Sequence, residues 1–540
     1  MFDNYDTFVA DPASNRLSNT SRNPVSVGEI SISNMRIISP HNYSIAVDIS
    51  KIFTQLSLTE DLFSPYIKGF VEIVDSFGLY EEIPIIGDEF FHFTFYSTGA
   101  GPEDTVDRYF RIIKVTDFNK HQDNDRVFTY KLHFVSMEYI FNLKTKVQKS
   151  YPSHLVHQIV EDIYDNYIKS SIDSFYPDSA YQKDIELEMT KGEHNIVIPN
   201  YSPFHAIEFL SERAESSEKV SSTGAMFSFY ETLREGFKFK SLESLMLNDP
   251  SLTYVYSPEN LPHDSFDEKF AFDSQRIKQF YRLSNIDMED KLKRGTYANR
   301  MITHNMLRMK HETIDYYYKE PTLKHYAYDQ STGARIERDP IMLANDFNEY
   351  INEGNNSYED NIRKIVDDTH HFSNNAVIST ASDILGSPVS NISLMSSNFK
   401  CFAKFSDVEG KGKPQDRSIR ETNIERWFQK RKSQFGLLNT FVYQVIVPGN
   451  THRMVGDVVN LQIPTNFHDF QSTRQQNRLA SGNFLVSSIE HRFLKSQQNI
   501  NHNLAMVVMK DSMSGSLPEP IADLETQGDY DEDSVMGDEF

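Results

Sequence analysis

Cysteine is almost missing from this chain: one residue, Cys401, stands among 540. A lone thiol excludes an intramolecular disulfide and any cysteine-based zinc cluster, and reads as an ordinary thiol of a reducing compartment. Tryptophan is as scarce, with Trp427 the only one. No stretch approaches the ~18 uninterrupted apolar residues of a spanning helix. The acidic start, Met1-Phe2-Asp3, lacks the basic-then-apolar pattern of a signal peptide, so a soluble, unsecreted product without membrane insertion is expected. Basic residues are the minority, 54 Lys and Arg against 77 Asp and Glu, for a net charge of −23. A field of that sign repels polyanions and excludes tight non-specific nucleic-acid binding.

What is present points to a folded, β-rich protein of several units. Hydrophobic residues make up 39% and aromatics 13%, enough to fill cores. Alternate Phe side chains in Phe91-His92-Phe93-Thr94-Phe95-Tyr96 predict a half-buried strand, and Val127 to Val135 repeats the pattern. With Tyr66 to Val74 and Tyr109 to Val115 they predict an antiparallel sheet or barrel ending near residue 150. The period then changes. Ser153 to Lys169 carries an apolar stripe of an amphipathic helix, and Ser202-Pro203 opens a second helix with Ser as N-cap and Pro at the first helical position. Between them Ile196 to Pro199 reads as a short strand, giving a small α/β module. Phe227 to Phe239 predicts a hairpin turning at Glu235-Gly236. Residues 249–415 read as an insertion of mixed structure, with a helix from Pro340 to Gly354. A basic helix over Ile424 to Phe435 precedes strands at Phe441–Val447, Val458–Ile463, Phe484–Ile489 and Leu504–Met509, a second β-domain of about the first one's size. The acidic end beyond Pro518 lacks apolar partners and is expected to be disordered.

Catalytic and metal motifs are weak throughout. Lys411-Gly412-Lys413 has Pro414 where a phosphate loop needs Ser or Thr. His370-His371 are adjacent, so on a helix they diverge by about 100° and lack a ligand frame. His304 and His311, placed two turns apart on a helix, share a face but have no third ligand, and read as packing or solvent residues. No nucleophile elbow or dinucleotide turn occurs. No cofactor, metal or catalytic residue is expected.

Two stretches nevertheless carry a pattern. Ile196-Val197-Ile198-Pro199-Asn200-Tyr201-Ser202-Pro203-Phe204, continuing through Phe227-Ser228-Phe229 and Gly236-Phe237-Lys238-Phe239, resembles the strand, Pro-Asn, aromatic, Ser-Pro, helix signature of baseplate central hub proteins of contractile-tailed bacteriophages. Val447-Pro448-Gly449, Gly456-Asp457 and Ser481-Gly482, three turns in that order, resemble the same family's C-terminal β-domain, and Gly69 to Asp75 its first.

The resemblance implies a β-rich α+β fold with two tail-tube-like antiparallel β-barrel domains, a small α/β module and a mixed insertion. The divisions expected are a polar lead over 1–27, a first tube-like domain over 28–150, the α/β module over 151–220, a hairpin over 221–248 belonging to the second tube-like domain, the insertion over 249–415, the basic helix and second tube-like domain over 416–516, and the tail over 517–540. It also implies a non-enzymatic virion protein assembled in the host cytoplasm. Three copies would form a pseudo-sixfold ring between the hexameric tail tube and the trimeric spike, contacting neighbouring baseplate proteins, while DNA passes the lumen without specific binding. The hub part of type VI secretion spikes is related. The competing reading is a tail-associated cell-wall-degrading enzyme with its catalytic part in 249–415. A glycan-binding accessory would call for tryptophan clusters that one Trp427 does not supply.

Overall fold

The computed structural model describes residues 27–39, 46–82, 85–97, 105–120, 127–175, 183–217, 226–246, 248–257, 266–285, 290, 293–296, 298–305, 309–317, 325–328, 335–338, 392–396, 428–429, 431–432, 435–436, 438–464, 477, 480–496 and 499–510. The Pro340 helix, His370-His371, Cys401, the Lys411 loop, Trp427 and the acidic tail lie outside them. The protein is β-rich, with short helices and one large sheet. No helix among the described residues is long and apolar enough to cross a membrane.

The first region contains β1 (Glu29–Ile38), β2 (Ala46–Asp48), β3 (Phe53–Asp61), β4 (Lys68–Asp75), the short α1 (Leu79–Glu82), β5 (Phe90–Ser97), β6 (Val106–Lys120), β7 (Phe128–Ser136) and α2 (Met137–Lys144). The α/β module follows: β8 (Val147–Leu155), α3 (Val156–Ile163), a π-helical turn over Tyr164–Lys169, α4 (Ser170–Phe175), β9 (Ile185–Leu187), β10 (Glu193–Tyr201), α5 (Pro203–Ser211), β11 (Phe227–Thr232), β12 (Gly236–Ser241) and α6 (Leu242–Met246). Next come β13 (Thr253–Val255), α7 (Phe266–Ser274), β14 (Gln279–Asn285), β15 (Ala298–Asn305), β16 (Lys310–Tyr317), β17 (His325–Tyr328), β18 (Arg335–Arg338) and β19 (Ile392–Ser396). The last strands are β20 (Phe441–Pro448), β21 (Val458–Gln462), β22 (Gly482–Lys495) and β23 (Ile500–Lys510).

The N- and C-terminal strands form one sheet, and its pairings run in two loops. The order β22-β3-β4-β7-β6-β5-β1-β23 returns to β22 through the β22–β23 hairpin, a closed circuit of hydrogen-bonded neighbours. The order β13-β21-β22-β23-β20-β14 is closed differently: Val255 bridges Arg276, just ahead of β14, with Val255 N–H donating to Gln275 O at 2.8 Å and Ile277 N–H to Val255 O at 2.9 Å. Both loops use β22 and β23. These strands are 14 and 11 residues long, enough to serve two partners in succession. Along β22, residues 482–485 pair β21 and 488–494 pair β3, and a register shift between Val486 and Ser488 marks the change. Along β23, residues 500–501 pair β1 and 503–510 pair β20.

Each loop surrounds its own apolar cluster. Phe91, Phe93, Phe95, Phe110, Phe134 and Phe493 fill the first, and Tyr254, Tyr443, Leu461, Phe484 and Val508 the second. Burying each such side chain contributes roughly 1.5–3 kcal/mol. The strand expected to be half-buried over 91–96 is buried on both faces through Phe95, because its outward polar residues are satisfied: His92 Nε2 lies 2.6 Å from Asp107 Oδ1, and Thr94 Oγ1 donates to the same oxygen at 2.8 Å. A third cluster, with Ile159, Val160, Ile163, Phe204, Phe229 and Phe237, is the core of the α/β module. The β11–β12 hairpin therefore faces two ways. Its Phe residues enter the module core and β12 pairs β9 in parallel, while Tyr230 enters the core of the second loop.

From the stretch read as an insertion, β13 and β14 join the large sheet, and β16-β15-β19 form a separate three-stranded sheet. Gln429, on a helical stretch that includes residues 428, 429, 431, 432, 435, 436 and 438, holds this small sheet by donating to Asn299 O at 3.2 Å and Ile314 O at 2.9 Å. His304 and His311 are not on a helix. They sit opposite each other on β15 and β16. Seven residues span two helical turns as readily as they span a tight hairpin, and the spacing alone does not separate the two.

Candidate functional site

The signature residues build corners. Asn200 has φ of 56°, at a register shift between Pro199 and Tyr201 where β10 leaves β8. Among side-chain-bearing residues Asn tolerates this left-handed conformation best, so the bulge explains its place. Ser202 is the N-cap of α5 and Pro203 occupies the first turn as expected, but the Ser side chain makes no capping bond. Asn142 from α2 supplies the acceptor instead, its Oδ1 taking the buried Phe204 N–H at 2.7 Å. Phe204 packs against both Phe229 and Phe237, which stack on each other.

Pro448 ends β20 opposite Asn503, and the Gly449 N–H donates to His502 O at 2.8 Å. A Cβ on Gly449 would enter the His502 ring. Gly456 has φ of +91°, and a Cβ there would stand 2.8 Å from the Tyr230 hydroxyl on the β11–β12 hairpin. Burial raises the pKa of Asp457, against the pull of the Met454 N–H and Arg453. Ser481 closes a reciprocal pair with Ile463, its Oγ accepting from the N–H at 2.9 Å and donating to the carbonyl at 3.0 Å. Gly482 opens β22 with φ of 114°. These residues set turns and are spread along the second loop and the module. They do not converge on a single pocket of reacting groups.

Two buried polar clusters, unseen in the sequence, lie where the units meet. At the change-over of β22 and β23, Glu60 Oε1 on β3 lies 3.1 Å from His491 Nε2, and His491 Nδ1 lies 3.0 Å from His502 Nε2. All three side chains are buried. Neutral rings satisfy both contacts in one arrangement: His491 Nε2–H donates to Glu60, and His502 Nε2–H to His491. Glu60 Oε2 and His502 Nδ1 make no hydrogen bond. Burial, with His491 and Lys278 acting in the same direction, holds the His502 pKa well below the usual histidine value.

The second cluster joins the module to the first loop. Lys183 Nζ donates to Glu138 Oε2 at 2.9 Å and Glu231 Oε1 at 2.5 Å, and Glu231 Oε2 accepts from Ser136 Oγ at 2.5 Å and Ile67 N–H at 3.1 Å. Burial lowers the Lys183 pKa, but the two carboxylates outweigh it and the net shift is upward. Burial also raises that of Glu138. Arg431 makes a third tie, donating to the carbonyls of Ser211, Glu212 and Ala214 at the end of α5. Chemically these are fasteners: each group spends its hydrogen bonds on another element of the same chain. Among the described residues no three His, Cys, Asp or Glu side chains could hold a metal ion together.

No protein-family model and no curated protein matches the chain. Solved structures similar to it include a tail protein from Neisseria meningitidis MC58, at 9% identity and a TM-score of 0.43, covering 89% of this chain and 97% of that one. A 43 kDa tail protein of prophage MuSo2 from Shewanella oneidensis aligns at 7% identity and a TM-score of 0.41, over 89% and 98% of the two chains. The E. coli c3393 protein, described as a component of the type VI secretion system with structural similarity to bacteriophage T4 tail proteins gp27 and gp5, aligns at 9% and 0.35, over 91% and 79%. These three are thus a tail protein, a prophage tail protein and a type VI secretion component, each at a TM-score below 0.5.

Proposed function

We propose that the chain is a non-catalytic hub subunit of a contractile-tail baseplate, three copies of which form a pseudo-sixfold ring between a hexameric tube and a trimeric spike. The observation that carries this reading is the pair of strand loops in one chain, joined by β22 and β23. In this reading each loop is a tube-like barrel, so three chains present six such units to a sixfold partner. The divisions at residues 28–150, 151–220, 221–248, 249–415 and 416–516 stay as approximate bounds, but β13 and β14 of 249–415 count with the second loop, β22 and β23 of 416–516 serve both loops, and the hairpin of 221–248 is shared between module and second loop. The small sheet of 249–415 is turned toward neighbouring baseplate proteins. The hub signature at Pro199–Phe204, Pro448-Gly449, Gly456-Asp457 and Ser481-Gly482 supports it, each residue serving a corner. The acidic balance of −23 suits a lumen through which DNA slides without binding. The test is native mass measurement and imaging of the assembled particle. Three copies per ring are expected, with the two loops around the bore; six copies, or a strongly basic bore, would remove the proposal.

A further inference from the structure

His304 and His311 are directly opposed in the β15–β16 pair, so their side chains leave the same face of the small sheet. The neighbouring residues Met301 and Thr303 are buried, whereas His304 is half-buried and His311 exposed. Their Nδ1 atoms face each other at 3.1 Å, with ring centroids 4.5 Å apart. Two metal–nitrogen bonds of about 2.0–2.1 Å span such a gap at an angle of roughly 98°, between the octahedral and tetrahedral values.

We propose that His304 and His311 form a surface chelate for a divalent transition ion of the zinc, nickel or copper class. Imidazole nitrogen selects these ions over magnesium and calcium, which prefer oxygen. Among the described residues of the β15–β16 pair, the next carboxylate along that face, Asp315, is held by Arg300 through two bonds of 2.7 and 2.8 Å, so these strands supply two ligands and water completes the shell. The ion clips β15 to β16 across their connection and adds its binding free energy to the folded hairpin. The inference is independent of the hub reading.

The test is calorimetric titration of the full chain with zinc chloride and nickel chloride at about pH 7.5, because metal binding competes with protons and weakens in acid. Loss of a second-shell partner alone costs roughly 10–100-fold in metal affinity, so His304→Ala and His311→Ala should each lose at least about tenfold. His205→Ala, at an exposed position on α5, should bind as the wild type does. On unmodified protein, diethyl pyrocarbonate labelling read by mass spectrometry should show zinc protecting His304 and His311 but not His205. Wild-type affinity in both single variants, or no protection of either histidine, would reduce the pair to a hydrogen bond and overturn the proposal.

Discussion

His491 and His502 stack at 5.2 Å between ring centroids, deep in the hairpin that both strand loops share, with the Glu60 carboxylate beyond His491 as the fixed end of the chain. The same three residues therefore tie β3, β22 and β23 at the point where each long strand changes partner.

Acid should loosen this point. His502 is neutral when folded, and its pKa is depressed by burial first. Below about pH 6.5 the unfolded chain takes up a proton there that the folded chain does not, so stability falls as pH falls below that value. The charged and titratable groups facing it are His491 on β22, Glu60 beyond that and Lys278 ahead of β14. His502→Gln keeps a donor for His491 but no titrating ring, and its melting temperature should fall less from about pH 7.5 to about pH 5.5. Equal slopes for variant and wild type would refute the assignment.

Removing the cation between Glu138 and Glu231 should be costly. Lys183→Met leaves two buried carboxylates without their counter-charge, at about 3–5 kcal/mol. Glu138→Gln, which leaves Lys183 paired with Glu231, should cost less. Urea unfolding of the two variants checks the order.

Gly449 and Gly78 separate collision from backbone strain. Gly78 has φ of +76° and open space around a Cβ, so Gly78→Ala carries only the left-handed cost of about 1–2 kcal/mol. Gly449→Ala displaces the His502 ring, and thermal melts should show the larger loss for it together with a changed pH slope.

Arg431 should not be replaceable by lysine. Its guanidinium spans three carbonyls at the end of α5, and burial lowers its pKa to about 10. An ammonium lacks that planar fork. Arg431→Lys should speed amide exchange in the Arg213–Ser217 stretch while leaving β6 and β7 protected, as read by hydrogen-exchange mass spectrometry.

The local elements were legible because they are written in short-range patterns. The Phe91 strand, the hairpin at Glu235-Gly236 and the Ser202-Pro203 helix start stand where periodicity and turn chemistry put them. The helix expected over 153–169 begins at Val156, since β8 runs on to Leu155, and it turns π-helical from Tyr164. What stayed hidden needs partners far away in sequence. Asn142 caps a helix 62 positions later, and Glu60 meets His491 across 431. The doubling of β22 and β23 left no trace, and even their length was missed, with only Phe484–Ile489 and Leu504–Met509 expected of strands 14 and 11 residues long. A strand's pattern reports which face is buried and says nothing of how many neighbours share its edge. His304 and His311 were misplaced for a related reason: their interval fits a helix face and a hairpin pair alike.

The shared hairpin also sets a timetable. The six N-terminal strands of the first loop are complete at Ser136, but its closing strands begin only at Gly482. At a synthesis rate of about 5–20 residues per second, roughly 20–70 s pass between the two. Throughout that interval the nascent β3 and β1 lack the β22 and β23 partners of the finished fold. The N-terminal half is then a template for stray strand pairing, and its survival depends on what shields it until the last sixty residues arrive.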